Sequence, residues 1–213
     1  MSRRIKVALT LLSALLLLSV IGMAFWYQDL RYSLPTPQPE HYTAVPSGAA
    51  IPPTPLLPAT DKRLLFLHFF NPDCPCSRFN VDHVRSLYLQ YREQVQFLAV
   101  VQTDSDATPE EMQTSAAEAS SQLLGMEAII DRDGHIATAC GVYSTPQAVV
   151  LSPGRELLFR GNYNVSRFCS DKKTAFARVA LEALLEGKSL PQFPPVATTA
   201  YGCQLPTFLD QEK

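Results

Sequence analysis

Two cysteines that stand one residue apart are the residues in this sequence best suited to chemistry. Cys74 and Cys76 lie in "FFNPDCPCSRFN", directly after the apolar run "RLLFLHFF". A continuous apolar run of this length is typical of a strand that is buried on both faces. The pattern therefore predicts two thiols at the carboxyl end of a central strand, where the next helix begins.

This position favours a reactive thiolate. The first N–H groups of a helix have no partner within the helix, and the helix dipole stabilises an anion there, which lowers the pKa of a thiol. Pro75 suits the first helical turn, because its missing donor costs nothing there. Arg78 adds positive charge, whereas Asp73 opposes a thiolate. Thiol chemistry is the favoured interpretation, and a structural disulfide or inert packed thiols are the alternative.

The elements around these cysteines alternate between strands and helices. Strands are predicted for "RLLFLHFF", "VQFLAVVQ" and "MEAII", and "PQAVVLSPGRELLFRG" predicts a hairpin. Helices are predicted for "SRFNVDHVRSLYLQYRE", "TPEEMQTSAAEASSQLLG", the short "HIATACGV" and "DKKTAFARVALEALLEG". Early strands joined through helices should be parallel, and the hairpin adds an antiparallel pair. The order predicts an α/β domain with a central mixed sheet flanked by helices.

The N-terminal part predicts a membrane anchor. Residues 7–27 carry no charge, and twenty-one helical residues span roughly 31 Å, enough for a bilayer core. Arg3, Arg4 and Lys6 precede this run, so residues 1–6 should be cytoplasmic and the rest exported. A cleaved signal peptide is the alternative, but its apolar run is usually shorter and no convincing cleavage site follows.

Composition divides the rest of the chain. Residues 28–60 are predicted to be a linker, because eight of the seventeen prolines lie in residues 31–60 and proline favours extended backbone. Packing of Ile51 to Leu57 around the domain edge is the alternative. Residues 61–190 would form the domain, and residues 191–213 a tail. The net charge of −2 gives no reason to invoke nucleic acid, and no cofactor is predicted.

"FLHFFNPDCPCSRF", together with "DRDGHIATACGVYSTP" and "SPGRELLFRG", resembles the thioredoxin-like superfamily over roughly residues 62–188. It is most similar to membrane-anchored redoxins of the TlpA and ResA kind. The resemblance implies a thioredoxin-like fold, thiol–disulfide oxidoreductase activity, and a domain on the periplasmic face of the inner membrane. Protein thiols or disulfides would be the substrates, with an unknown redox donor. "NPDCPCSRF" also resembles an uncharacterised exported family, for which no activity follows.

The resemblance assigns roles to individual residues. Cys74 aligns with the family nucleophile, and Thr145-Pro146 aligns with a loop whose proline is cis and faces that cysteine. Pro75, Thr145 and Pro146 would then shape the substrate groove. His68 stands where relatives often carry a buried acid, so it is either a proton shuttle or a packed strand histidine.

One departure from the family concerns the second cysteine. The family usually has Cys-x-x-Cys, whereas Ser77 takes the second place here and Cys76 lies one position short. Dithiol cycling of the usual kind is therefore in doubt. We expect Cys76 to be the partner or resolving thiol of Cys74.

Three other functions are alternatives for a domain of this fold. Copper handling would use Cys74 and Cys76 with imidazole from His83 and His135, but the related Sco-like branch uses Cys-x-x-x-Cys, which this chain lacks. Peroxidase action is disfavoured because Asn71 stands where such sites place a threonine. A redox-inactive domain that binds a protein partner is the third alternative.

The remaining three cysteines suggest a staple. Cys169 precedes the last predicted helix and Cys203 lies in a tail that would fray unless tied down. We expect a structural disulfide between them. Cys140 is then left as a buried thiol by default, and a resolving role toward Cys74 is the alternative.

Overall fold

The fold comes from a computed structural model that describes residues 2–58, 62–72, 74–103, 106–165 and 171–209. Contacts divide the chain into two units, residues 1–34 and residues 35–213.

The first unit is a single helix, α1 (Arg3–Ser33). Its segment Arg3–Gln28 has a mean hydropathy of 2.5, and it is the one helix in the described part of the chain that is long and apolar enough to cross a membrane. The uncharged run predicted from the sequence, residues 7–27, lies inside this segment. Length and composition therefore allow α1 to span a bilayer.

The second unit is built from seven strands and six α-helices among the described residues. The strands are β1 (Leu64–Phe70), β2 (Val95–Val101), β3 (Ala128–Ile130), β4 (Ser144–Thr145), β5 (Gln147–Leu151), β6 (Leu157–Gly161) and β7 (Cys203–Gln204). The helices are α2 (Pro75–Tyr91), α3 (Pro109–Gln122), α4 (His135–Cys140), α5 (Phe176–Leu185), α6 (Pro195–Thr198) and α7 (Pro206–Leu209), with a 3₁₀ turn at Lys172–Thr174.

Five of the strands form a mixed sheet in the order β3-β2-β1-β5-β6. The β1, β2 and β3 strands run parallel, whereas β5 is antiparallel to both β1 and β6. The β4 and β7 strands form a separate antiparallel pair. This α/β topology, with a cis Thr145-Pro146 bond just before β5, is a thioredoxin-like fold, as the sequence predicted.

The central strand β1 is buried on both faces. Phe66 and Phe70 face one apolar cluster with side chains of α2 and α5. Leu65, Leu67 and Phe69 face a second apolar cluster with side chains of α4 and the tail. The unbroken apolar run of the sequence thus reflects its central position.

Local signals in the sequence define where the helices begin. Thr108 and Glu111 form the predicted capping box of α3. The buried carboxylate of Asp131 accepts hydrogen bonds from the N–H groups of Ile136 (3.0 Å) and Ala137 (2.9 Å) and so holds the start of α4. The chain then continues from α4 into β4, which places the loop before β5 next to the start of α2.

The described part of the proline-rich stretch packs along the domain. Gly48 and Ile51 donate backbone hydrogen bonds to the β6 hairpin, to Leu157 O (2.7 Å) and Arg155 O (2.8 Å). The side chains of Ile51 and Leu57 are buried in the second apolar cluster. These residues therefore cover the edge strand β6, which would otherwise present unpaired backbone groups.

Candidate redox site

The nucleophile position of the site is occupied by one end of a disulfide. Cys74 is the N-cap residue of α2, with φ −78° and ψ 119°, and its sulfur is bonded to that of Cys203 on β7. The two Cα atoms are 6.4 Å apart, within the usual range for a disulfide. Residues 129 positions apart thus meet at the end of the central strand.

Pairing with β4 places Cys203 beside α2. Thr145 faces Cys203 and Ser144 faces Gln204 in the antiparallel pair, and Leu205 N donates to Tyr143 O at 3.0 Å. The Thr145-Pro146 bond is cis, which confirms that prediction. The loop before β5 therefore lies against both cysteines of the disulfide.

Gly202 makes this close approach possible. Its φ is +142°, and a Cβ there would overlap the carbonyl oxygen of Thr145. A side chain at this position would therefore push the tail strand away from β4.

A third sulfur lies within reach of the disulfide. The Sγ atoms of Cys74, Cys76 and Cys203, which we call the three-sulfur cluster, all lie within 4.8 Å of one another. Cys74 and Cys76 are 3% and 5% exposed, and Cys203 is half-buried. Cys76 is not part of the disulfide. The site thus combines one disulfide with one neighbouring thiol, which is the arrangement that internal exchange requires.

The predicted staple between Cys169 and Cys203 is wrong in this structure. A sulfur forms one disulfide bond, and that of Cys203 is bonded to Cys74. Cys169 itself lies outside the described residues. Sequence reasoning placed Cys203 in a loose tail and missed the β4–β7 pair, although the glycine directly before Cys203 was a signal for close backbone approach.

Hydrogen bonds around Ser77 tie the first turn of α2 to its neighbours. The Ser77 hydroxyl donates to Thr145 Oγ1 at 3.3 Å and accepts a hydrogen bond from Asn71 N at 3.4 Å. The Cys74 sulfur lies 3.9 Å from Thr145 O. Ser77, which takes the place of the family's second cysteine, therefore holds the cysteine loop and the cis-proline loop together.

Of the predicted groove residues, Pro75 is exposed. Thr145 and Pro146 are buried, and Gly202 lies against both of them. The tail strand thus covers the surface that the sequence assigned to a substrate groove. Arg78, expected to add charge to the site, donates from Nε to Pro72 O at 2.9 Å.

His68 is fully buried in β1 and lies against Tyr163. Its Nδ1 is 2.7 Å from the Tyr163 hydroxyl oxygen. Burial, with a smaller effect from His83, lowers the pKa of His68 to about 3, and burial raises the pKa of Tyr163. Both groups are therefore neutral near pH 7, and a hydrogen bond joins the Tyr163 hydroxyl and the imidazole. A catalytic role for His68 stays a prediction.

The two other histidines of the copper hypothesis lie outside the three-sulfur cluster. The His83 ring packs against Tyr163, and burial followed by the charge of Arg178 lowers its pKa to about 4. His135 is exposed, with Nε2 3.9 Å from Asp133. The ligand set expected from the sequence is therefore not brought together.

Cys140 is a buried thiol in the second apolar cluster. Burial, with a smaller effect from Asp131, raises its pKa to about 12. Such a thiol is protonated and unreactive near pH 7, which disfavours a resolving role.

The fold and the disulfide at this position support a redox function of the thioredoxin-like type. The chain belongs to a family described as Domain of unknown function (DUF6436), whose model matches residues 45–206. The sequence matches no curated protein.

Two solved structures share most of the fold. A hypothetical protein from Sinorhizobium meliloti 1021 is 20% identical, with a TM-score of 0.65 over 78% of this chain and 96% of its own. An uncharacterized conserved protein from Geobacillus kaustophilus is 22% identical, with a TM-score of 0.64 over 81% of this chain and 97% of its own. Both show the fold alone.

A weaker match is a secreted disulfide oxidoreductase of Mycobacterium tuberculosis. It is 16% identical, with a TM-score of 0.40 over 60% of this chain and 84% of its own. A likeness of this size carries no argument about activity.

Proposed function

We propose that this chain is a membrane-anchored thiol–disulfide oxidoreductase that acts on protein thiols or disulfides on the exported face. The observation that carries this proposal is the Cys74–Cys203 disulfide at the start of α2, with the Cys76 sulfur beside it. A disulfide with a purely structural role needs no third cysteine beside it. The Cys76 sulfur, within 4.8 Å of both bonded sulfurs, instead favours thiol–disulfide exchange.

The exposure of the two cysteines favours one direction of attack. Cys74 is 3% exposed, whereas Cys203 is half-buried, so an incoming thiolate reaches the Cys203 sulfur more easily. That attack forms a bond between the substrate and Cys203 and releases Cys74 as a thiolate. The N-terminus of the 17-residue helix α2 stabilises this leaving group, and a leaving thiol of lower pKa leaves faster.

A second thiolate of the substrate completes the reaction. It attacks the substrate sulfur of the mixed disulfide, which releases the Cys203 thiolate and leaves a disulfide in the substrate. The substrate loses two electrons and two protons, and Cys74 and Cys203 gain them as thiols. Reduction of a substrate disulfide follows a second route from the reduced site. The Cys74 thiolate attacks the substrate disulfide and releases one substrate thiolate. The Cys203 thiolate then attacks the Cys74 sulfur of the mixed disulfide, which forms the Cys74–Cys203 bond and releases the second substrate thiolate.

Cys76 gives the site a second way to open the bond. Attack of its thiolate on the Cys74 sulfur forms a Cys74–Cys76 bond and releases Cys203 as a thiolate. This step removes the covalent link between the tail strand and α2 without an external reductant. The β4–β7 pair still holds the tail strand beside Thr145.

The apolar helix α1 supports placement at a membrane. Arg3, Arg4 and Lys6 at its start favour a cytoplasmic N-terminus and an exported domain. An exported compartment, such as the bacterial periplasm, also permits stable disulfides. We therefore place the domain on the periplasmic face of the inner membrane.

Exchange assays on the full chain in detergent test the proposal. The native protein should reactivate a substrate with scrambled disulfides or reduce insulin. Cys74→Ser should abolish the activity, and Cys76→Ser and Cys203→Ser should each slow it and accumulate mixed disulfides. Cys140→Ala is the matched control, because Cys140 is a buried cysteine outside the three-sulfur cluster. Full activity of Cys74→Ser would exclude it as the nucleophile, and no activity in the native protein would favour a binding module.

A further inference from the structure

The three-sulfur cluster is also a set of metal ligands once the disulfide is reduced. All three sulfurs lie within 4.8 Å of one another. A metal–thiolate bond of about 2.3 Å, as in zinc sites, places the sulfurs of a three-coordinate site about 4 Å apart. After reduction, the Cys74 and Cys203 sulfurs would therefore move apart from their bonded positions, and the distances from the Cys76 sulfur, at most 4.8 Å, would shorten by less than about 1 Å.

The third sulfur is held in place by contacts other than the disulfide. Thr145 faces Cys203 across the β4–β7 pair, and Thr36 donates to the carbonyl oxygens of Ala200 (2.8 Å) and Gly202 (3.1 Å). Just beyond Cys203, Leu205 and Phe208 are buried in the second apolar cluster, at 1% and 6% exposure. These contacts fix the tail on both sides of Cys203, so reduction leaves three thiols side by side.

The nature of the ligands selects the ion. Thiolates are soft donors that favour Cu(I), whereas closed structural zinc sites take four ligands. Among the described residues, this group of three contains no imidazole and no carboxylate. The N-terminus of α2 also offsets part of the negative charge that three thiolates bring. A set of three sulfurs, two of them on buried residues, therefore fits three-coordinate Cu(I) best.

We propose that the reduced site binds one Cu(I) ion through the thiolates of Cys74, Cys76 and Cys203, and that the disulfide and the metal exclude each other. The three thiols lose their protons when the ion binds. Oxidation of Cys74 and Cys203 to the disulfide removes two of the three ligands, with the two electrons passing to a thiol–disulfide partner. Copper binding by the reduced thiols does not depend on exchange activity. The oxidoreductase proposal and the copper proposal can therefore fail independently.

Competition with a chelator measures the binding. The full chain in detergent is reduced, freed of reductant without air, and titrated with Cu(I) in the presence of bicinchoninic acid. We expect one Cu(I) per reduced chain and none per oxidised chain. Cys76→Ser and Cys203→Ser should each weaken binding at least tenfold, whereas Cys140→Ala should bind like the native protein. Equal affinity of Cys203→Ser and the native protein would overturn the proposal, as would equal binding by the oxidised chain.

X-ray absorption on the native protein provides a test that needs no variant. Three sulfur neighbours around copper support the site. Two sulfur neighbours, or any nitrogen neighbour, contradict it. This measurement decides the matter even if Cys203→Ser fails to fold, which circular dichroism of the metal-free variant would reveal.

Discussion

Thr145 faces Cys203 across the β4–β7 pair, so the residue before the cis proline also positions the second cysteine of the disulfide. The carbonyl oxygen of Thr145 lies 3.9 Å from the Cys74 sulfur, and it also lies against Gly202. One short loop therefore contacts both ends of the bond. We therefore expect changes in this loop to affect both the disulfide and the attachment of the tail.

Gly202→Ala should detach the tail strand. A Cβ there overlaps Thr145 O, and a φ of +142° is strained for any other residue, so we expect a loss of stability of roughly 1–3 kcal/mol. Denaturant unfolding of the full chain would measure the loss of stability. Disulfide mapping by mass spectrometry would show whether the Cys74–Cys203 bond is lost with the detached tail strand. Gly48→Ala is the control, since Gly48 also has a positive φ but open space around it. Equal effects of the two changes would show that only the backbone conformation matters.

Reduction of the disulfide should destabilise the domain. Closing 129 residues restricts the unfolded chain, and the chain-entropy model gives about 5 kcal/mol for this length. Thermal unfolding of the native chain should shift to lower temperature when reductant is added. Cys203→Ser should unfold at the same temperature as the reduced native chain, and added reductant should not change that temperature. If reductant leaves the unfolding temperature of the native chain unchanged, the bond adds no stability.

Stability should fall as the pH is lowered from about 7 toward 4. The folded-state pKa values of His68 and His83, about 3 and about 4, lie below the ordinary 6.5. The unfolded chain therefore binds protons that the folded chain does not, so the stability present above pH 6.5 is lost as the pH falls.

The pH effect can be assigned with variants. His68→Phe should flatten the slope of unfolding free energy between pH 7 and 5, because it removes one of the two groups. His135→Gln, a change at an exposed histidine, should leave the slope as it is. An unchanged slope in His68→Phe would mean that another group carries the effect.

Ser77→Ala should weaken the fold more than the chemistry. It removes the hydrogen bonds to Thr145 Oγ1 and from Asn71 N, at a cost of about 1–2 kcal/mol. We expect exchange activity to stay within a few-fold of the native value. A loss of activity as large as that of Cys74→Ser would instead assign Ser77 a direct part in catalysis.

The orientation of α1 can be tested with a fusion. A reporter that fluoresces only in the cytoplasm, placed after Lys213, should stay dark if the charges of Arg3, Arg4 and Lys6 orient the helix as expected. The same reporter placed before Met1 should fluoresce. The opposite pattern would put the cysteines in a reducing compartment.

The sequence predicted most of the fold because its elements have strong local signals. The apolar run at β1, the capping box at Thr108 and the Thr145-Pro146 match all correspond to observed features. The partner of Cys74 was not predictable in the same way. Two paired residues in β4 and two in β7 are too few to show a strand period. Their position depends on tertiary contacts, such as burial of Leu205 and Phe208.

The separation of 129 residues between Cys74 and Cys203 has a consequence for biosynthesis. Chains grow from the N-terminus, and at 5–20 residues per second Cys203 is added roughly 6 to 26 seconds after Cys74. During that interval, Cys74 and Cys76 exist without Cys203, and an oxidant can join them only to each other or to Cys140 and Cys169, which are added before Cys203. The Cys74–Cys203 bond can form only after nearly all of the domain has been synthesised. In a nascent-chain experiment, that bond therefore marks a chain whose sheet and tail strand have both been completed.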